Sequence, residues 1–375
     1  MRRAGVLATI VITGLTVAGA AAQRGGGRGG VPNPIQPIEK VKENLYVVHG
    51  GTAGNTTVFL TQAGVVLVDT KVANSGEAIM NQVKTVTDKP VTMIINTHSH
   101  GDHVGSNNYF PATVEKVTHE NTKKWMAANA AYAKDPAMMP TKTFTDRMTL
   151  GKGKDQIDLY YFGAGHTDGD AFVVFKELKT LCVGDLMAWN MAPLIDPNAG
   201  GSIVALGETF KKAAKGIKNV DTVIEGHGNV NTFKGMDAYG EFMRALVDTA
   251  RDGLKKQLTT QQALDELKKN SKYAVFLTTE VLKGTEYGDT PEHRALINLN
   301  VAYQELRGEP VTTHFGPVQS IGPEKGSAPP PAPRGGGRGP GGPGRGPGAP
   351  APAPGAAAPG AAAPTPAPGA PAPGR

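Results

Sequence analysis

The sequence predicts an α/β layered domain followed by a C-terminal helical annex. Two observations carry this prediction. Short apolar runs bounded by turn residues come first, strand-like and helix-like patterns then alternate, and residues 234 to 307 are mostly helical in pattern. In addition, five of the nine histidines lie in three short segments, each directly after a predicted strand.

Taken in order, Leu45 to Val48, Thr57 to Leu60 and Val65 to Val68 are strand-like, and the last run ends at Asp69. Over 75–87, Ala78, Ile79, Val83 and Val86 recur on one face and predict a helix. Val91 to Ile95 has a buried-strand pattern and runs straight into a polar, histidine-rich loop. A helix is expected over 119–134, then a long irregular connection over 136–155. Ile157 to Phe162, Phe172 to Phe175 and Leu181 to Val183 are further strands. A helix over 203–217 leads to the strand Thr222 to Ile224. Farther on, Thr259 or Thr260 is placed to cap a helix at 261–269.

The flanks differ from the middle. Residues 322–375 hold 17 of the 29 prolines and 15 of the 49 glycines, with little apolar content beyond alanine. Such a stretch cannot bury enough surface to offset chain entropy, so disorder is expected. Residues 1–22 run from Arg2-Arg3 through an uncharged stretch, Ala4 to Ala22, that ends in three alanines. This is the pattern of a cleavable signal peptide, and the protein is expected to be exported, periplasmic or secreted. The competing reading is an uncleaved anchor, because 19 uncharged residues nearly span a bilayer. Three threonines, three glycines and the alanine-rich end weigh against it, so no stable membrane insertion is expected after cleavage. The net charge is +6, and residues 1–30 and 322–375 each carry +4, leaving −2 for the middle. A nucleic-acid-binding core is therefore not indicated. Cys182 is the single cysteine, so an internal disulfide is excluded.

The chemistry concentrates at Thr97-His98-Ser99-His100-Gly101-Asp102-His103, Gly165-His166-Thr167-Asp168-Gly169-Asp170, Glu225-Gly226-His227-Gly228 and Val183-Gly184-Asp185. On an extended turn His98 and His100 point the same way, so two imidazoles can converge on one cation. Asp102 and His103 lie beyond the bend and can address a second. Imidazole nitrogen with carboxylate oxygen is a donor set that zinc favours, and two neighbouring metals can hold a hydroxide that is nucleophilic at neutral pH. His49, His119, His293 and His314 have no ligand-type partners at useful spacing.

His98-x-His100-x-Asp102-His103 followed by His166, Asp185 and His227 resembles the metallo-β-lactamase superfamily, over about residues 42–230. The resemblance implies a four-layer αββα sandwich with a metal site at one edge of its sheets. At the matching positions it implies that His98, His100 and His166 bind one metal, that Asp102, His103 and His227 bind a second, and that Asp185 bridges them. Asp69 matches an early aspartate that buttresses such sites, and Thr167 and Asp170 are expected to orient ligands. A bridging aspartate at 185 is typical of glyoxalase-II-like thioesterases and lactonases, whereas zinc β-lactamases usually carry cysteine or serine there. Cys182 should point into the sheet. No lysine follows Asp185 closely to hold a β-lactam carboxylate, the run being Leu186-Met187-Ala188-Trp189-Asn190.

The resulting expectation is an exported binuclear zinc hydrolase acting on a small molecule: a lactone, thioester, ester or cyclic amide. A metal-bridging hydroxide attacks the carbonyl, and Asp102 orients it and passes a proton to the leaving group. Iron or manganese can replace zinc in such a donor set. Three alternatives stay open: zinc β-lactamase activity, a single-iron persulfide dioxygenase, and a non-catalytic metal-dependent binding module. The expected organisation is a signal peptide at 1–22, a Gly/Arg/Pro linker at 23–41, a catalytic domain at 42–233, a helical annex at 234–321 and a tail at 322–375. The annex either covers one side of the pocket or forms a dimer interface.

Overall fold

The structure, a computed structural model, describes residues 35–50, 53–278, 290–311 and 319–327. The signal peptide expected at 1–22 lies outside the described residues, as do most of the linker and the tail. Among the described residues no helix is long and apolar enough to cross a membrane.

Two mixed sheets lie at the centre. The seven strands of the first follow chain order: β1 (Glu39–Lys42), β2 (Leu45–Val48), β3 (Thr56–Leu60), β4 (Val65–Val68), β5 (Val91–Ile95), β6 (Glu115–His119) and β7 (Lys142–Phe144). Pairing is antiparallel up to β4 and parallel from β4 to β7. The second sheet holds β8 (Arg147–Leu150), β9 (Ile157–Tyr160), β10 (Phe172–Phe175), β11 (Thr180–Cys182), β12 (Thr222–Ile224) and β13 (Val230–Thr232), in the order β13-β12-β11-β10-β9-β8. Only β11 and β12 pair in parallel there, and helix α5 (Ile203–Gly216) connects them.

The central strands β4 and β10 read as continuous apolar runs because both faces of each sheet are covered there. Alternate residues go to opposite layers. Phe59, Val66, Val68, Val173, Phe175, Cys182 and Ile224 meet between the sheets. Val58, Val65 and Leu67 face outward under α1 (Gly76–Val83). Phe172, Val174, Leu181 and Val223 face α5 and the C-terminal helices α6 (Phe233–Lys255), α7 (Thr260–Lys268) and α8 (Pro291–Leu306). The result is an αββα sandwich with a helical C-terminal region. Helix α8 is buried around most of its circumference, as expected of a helix packed among others. Its Glu305 accepts hydrogen bonds from Ser202 Oγ and from the amides of Ile203 and Val204, capping α5 from across the helical layer.

Several local expectations change. The stretch 136–155 is not a long irregular connection: it contains β7 and β8, the neighbouring ends of the two sheets. Each is an edge strand with a single buried residue, Phe144 or Leu150, too few to show alternation in the sequence. β6 escaped notice because Glu115 and Lys116 open it, and β1 and β13 because both are short and polar. The helix expected over 119–134 divides into α3 (Glu120–Ala128) and α4 (Ala130–Ala133) at Asn129, whose extended backbone lets its side chain cap the second piece. The chain also stays ordered past 321, since Arg307 binds the carbonyls of Gly322 and Glu324 and the hydroxyl of Ser327.

Candidate metal centre

Strands β4, β5, β9, β11 and β12 all end at one edge of the sandwich. They deliver, in turn, Asp69, the His98 to His103 loop, His166, Asp185 and His227. His100 is extended, and Gly101–Val104 then form the short helix α2, which turns Asp102 and His103 away from the preceding pair. All seven expected ligand side chains meet here, in two groups. The donor atoms of His98, His100 and His166 lie within 4.8 Å of one another, as do those of Asp102, His103, Asp185 and His227. Asp185 Oδ2 is 3.8 Å from His166 Nε2 and 3.3 Å from His227 Nε2, so it reaches toward both groups.

In four of the five rings, hydrogen bonds away from the centre fix which nitrogen turns inward. Asp69 Oδ2 accepts from His103 Nδ1 at 2.8 Å, leaving Nε2 to face the site. The same oxygen accepts from the Thr97 hydroxyl at 2.7 Å, and Asp69 Oδ1 accepts from the Thr97 amide at 2.8 Å. With its proton committed to Asp69, the Thr97 hydroxyl accepts from His98 Nδ1 at 3.0 Å. One carboxylate thus orients a histidine in each group. Asp196 accepts from His100 Nε2 at 2.8 Å, and the Leu194 carbonyl accepts from His166 Nδ1. His100 Nδ1 and His166 Nε2 then face each other at 2.8 Å, a contact that needs a shared proton or a cation between two lone pairs. Among the described residues His98 Nε2 is buried without a hydrogen-bond partner, and Asp185 Oδ1 is buried 3.1 Å from His103 Nε2, an arrangement that suits atoms facing a cation. Donor set, convergence and the orphaned His98 Nε2 all fit a metal centre of nitrogen and carboxylate oxygen.

The electrostatics divide the rings. Burial, with His103 and His166 beside it, holds His98 well below the ordinary histidine range, and burial with His100 nearby lowers His166 to about 4. Burial also opposes the charged forms of His103 and His227, but the Asp185 and Asp102 carboxylates overcome it, and His227 rises to about 9. In return His227 and His103 hold Asp185 well below the carboxylate range, against the effect of burial. Asp170 does not converge with the ligands. It accepts from the Thr167 amide at 2.9 Å and hydroxyl at 2.6 Å, and its burial raises it to about 7.

Other positions fall outside the centre. Cys182 packs between the sheets against the Thr57 hydroxyl, and burial pushes its thiol up to about 12. His49 pairs with Asn55 and Glu39, and His119 caps α3 and stacks on Tyr161. His314 lies outside the described residues. The sequence reading missed Asp196, whose Asp-Pro-Asn turn is its only local signal. It also missed two close approaches: a Cβ on Gly54 would meet the His103 ring, and one on Gly226 would meet Asp185. Trp189 stacks on the His227 ring, with centroids 4.4 Å apart.

Comparison with known proteins agrees with this geometry. Residues 49–228 match the model of the metallo-beta-lactamase superfamily. A metallo-beta-lactamase type 2 from Elizabethkingia meningoseptica is 30% identical over 212 residues, covering 53% of this chain and 81% of that protein. A metallo-beta-lactamase type 2 from Bacillus sp. (strain 170) is 24% identical over 201 residues, covering 52% of this chain and 76% of its own. Among solved structures, that of the sec-alkyl sulfatase PisA1 superposes with a TM-score of 0.57 at 16% identity, covering 74% of this chain and 51% of that one, which speaks to the fold alone. The chain belongs to the metallo-beta-lactamase superfamily and is a metal-dependent hydrolase.

Proposed function

We propose that the protein is an exported binuclear zinc hydrolase that cleaves a lactone, thioester, ester or cyclic amide. The observation that carries this reading is the pair of converging donor groups joined through Asp185. His98, His100 and His166 would hold one ion, Asp102, His103 and His227 the other, with Asp185 between them. When bound, such a pair supplies a hydroxide nucleophile at neutral pH and polarises the carbonyl under attack. Asp102 is the more open of the two acids, its side chain 30% exposed against 13% for Asp185. Its carboxylate can therefore meet a substrate, orient the nucleophile and return a proton to the leaving group. Asp69, Thr97, Asp196 and the Leu194 carbonyl hold the imidazoles in the tautomers that ligation requires. Residues 42–233 form the catalytic part in this reading, and the helices of 234–321 form the annex that shapes the pocket. Export rests on the signal-like residues 1–22.

A second reading, β-lactam hydrolysis, is favoured by the 30% identical relative, itself a metallo-beta-lactamase. Asp185 and the buried Cys182 weigh against it, because no sulfur donor enters the centre. Both readings meet one test: proton release in a pH-stat by zinc-loaded protein, with a chelated control, on lactones, thioesters, esters and β-lactams. Chelator-sensitive turnover of one class names the substrate, and β-lactam turnover alone selects the second reading. His98→Ala should lose metal and most activity; full activity in the zinc-depleted variant would overturn the scheme.

A further inference from the structure

Metal-binding imidazoles are ordinarily held by a hydrogen bond from the nitrogen that does not ligate. Four of the five rings here follow that rule, through Thr97, Asp196, Asp69 and Leu194. His227 does not: its Nδ1 is buried, with no hydrogen-bond partner among the described residues. Rotation about the last side-chain bond of histidine is soft, so an unrestrained ring would not keep Nε2 aimed at the Asp102 and Asp185 carboxylates, 3.1 and 3.3 Å away.

What restrains it is Trp189. The indole lies on the His227 ring at 4.4 Å and 29°. The Trp189 amide donates to the His227 carbonyl at 3.0 Å, tying the two backbones together. The turn that presents the indole is unusual, since Trp189 and Asn190 both have left-handed backbone, with φ of 55° and 53°. A bulky residue in that region is an outlier, and such outliers persist where surrounding contacts over-determine them. Those contacts are present. Glu225 accepts from the Asn190 amide at 3.1 Å with one oxygen and from Asn231 Nδ2 at 2.9 Å with the other. Gly228, with φ of 92°, leaves the space that Trp189 occupies; a Cβ there would stand 3.2 to 3.3 Å from Trp189 Cα, Cδ1 and N. The Arg294 guanidinium of α8 lies 5.7 Å from the indole, linking the turn to the helical layer.

We infer that Trp189 is a positioning residue for His227, its stacked indole doing for this ring what hydrogen bonds do for the other four. The inference rests on the binuclear reading and adds an asymmetry to it. Trp189 supports the group of Asp102, His103, Asp185 and His227 and leaves that of His98, His100 and His166 untouched. A residue that merely filled core volume would weaken both alike.

Competition between the full-length protein and a chromophoric chelator for zinc tests this, with cobalt(II) absorption as a second readout. Wild type should retain two ions. Trp189→Ala should hold one ion as wild type does and release the other at roughly 10- to 100-fold lower chelator strength. Trp189→Phe, which restores a flat ring, should recover the second ion. Glu225→Gln keeps the indole but loosens its turn, and should weaken the same ion even if Trp189→Ala fails to fold. A Trp189→Ala protein that binds both ions as tightly as wild type, or loses both equally while Trp189→Phe does too, overturns the inference alone. A wild-type protein that holds only one ion overturns the binuclear reading, and the inference with it.

Discussion

Replacing Asp69 by asparagine tests whether one carboxylate sets the protonation pattern of both donor groups. The backbone at 69 is left-handed, with φ of 63°, and asparagine accepts that conformation as readily as aspartate. Shape and backbone are therefore kept, and only one acceptor oxygen becomes a donor. In the native arrangement Oδ1 takes the Thr97 amide, and Oδ2 takes the Thr97 hydroxyl and His103 Nδ1. An amide cannot meet all three donors. If its oxygen sits at the Oδ2 position, its NH2 faces the buried Thr97 amide, and one unpaired buried donor costs about 1–3 kcal/mol. If the oxygen turns to the Thr97 amide, the NH2 faces His103 Nδ1, which must give up its proton to Nε2. A protonated Nε2 cannot ligate, and the loss is then about 10- to 100-fold in metal affinity. Chelator competition reads the second outcome, and urea unfolding of the metal-free proteins reads the first. Thr97→Val separates the branches, since it cuts only the path to His98 and should weaken only the group of His98, His100 and His166. An Asp69→Asn protein matching wild type in both metal affinity and unfolding free energy would refute the relay.

Three further outcomes follow from the packing. Lys71 is buried, donates to the carbonyls of Val48 and Gly54 at 2.7 Å each, and is lowered by burial to about 7 despite Asp69 and Asp102 nearby. Its folded value lies below the unfolded one of 10.5, so the unfolded chain binds more protons between those limits, and the cost of burying the amine is relieved as pH rises. The difference in unfolding free energy between wild type and Lys71→Met should therefore shift toward wild type from pH 7 to 10; a constant difference would contradict it. Glu305→Ala removes the acceptor for three donors at the start of α5 and should cost about 1–3 kcal/mol in urea unfolding, with no measurable loss as the opposing result. Gly226→Ala places a methyl group against Asp185 Oδ1 and 2.5 Å from the Gly184 carbonyl carbon. Metal content and melting temperature should both fall, and wild-type values for both would show that the 184–185 backbone can yield.

How much of this was legible beforehand depends on the range of the interaction. Strands buried on both faces announced themselves as apolar runs: β5 and β10 occupy the residues expected of them, and Thr259, one of the two caps expected, begins α7, where the structure adds a capping box with Gln262. The His98 to His103 segment was legible because four of its donors fall within six residues, where chain geometry alone brings them together. Edge strands such as β7 and β8 were not, since one buried residue apiece leaves no periodicity to read.

The sequence by itself determined which residue types are available to bind metal and after which strands they fall. Only the tertiary structure decided which nitrogen of each histidine turns inward. For three of them that choice depends on partners far along the chain: Asp69 for His103, Asp196 for His100 and the Leu194 carbonyl for His166. A tautomer is fixed by the atom opposite the far side of the ring, and neither composition nor spacing encodes what lies there until the two sheets have packed.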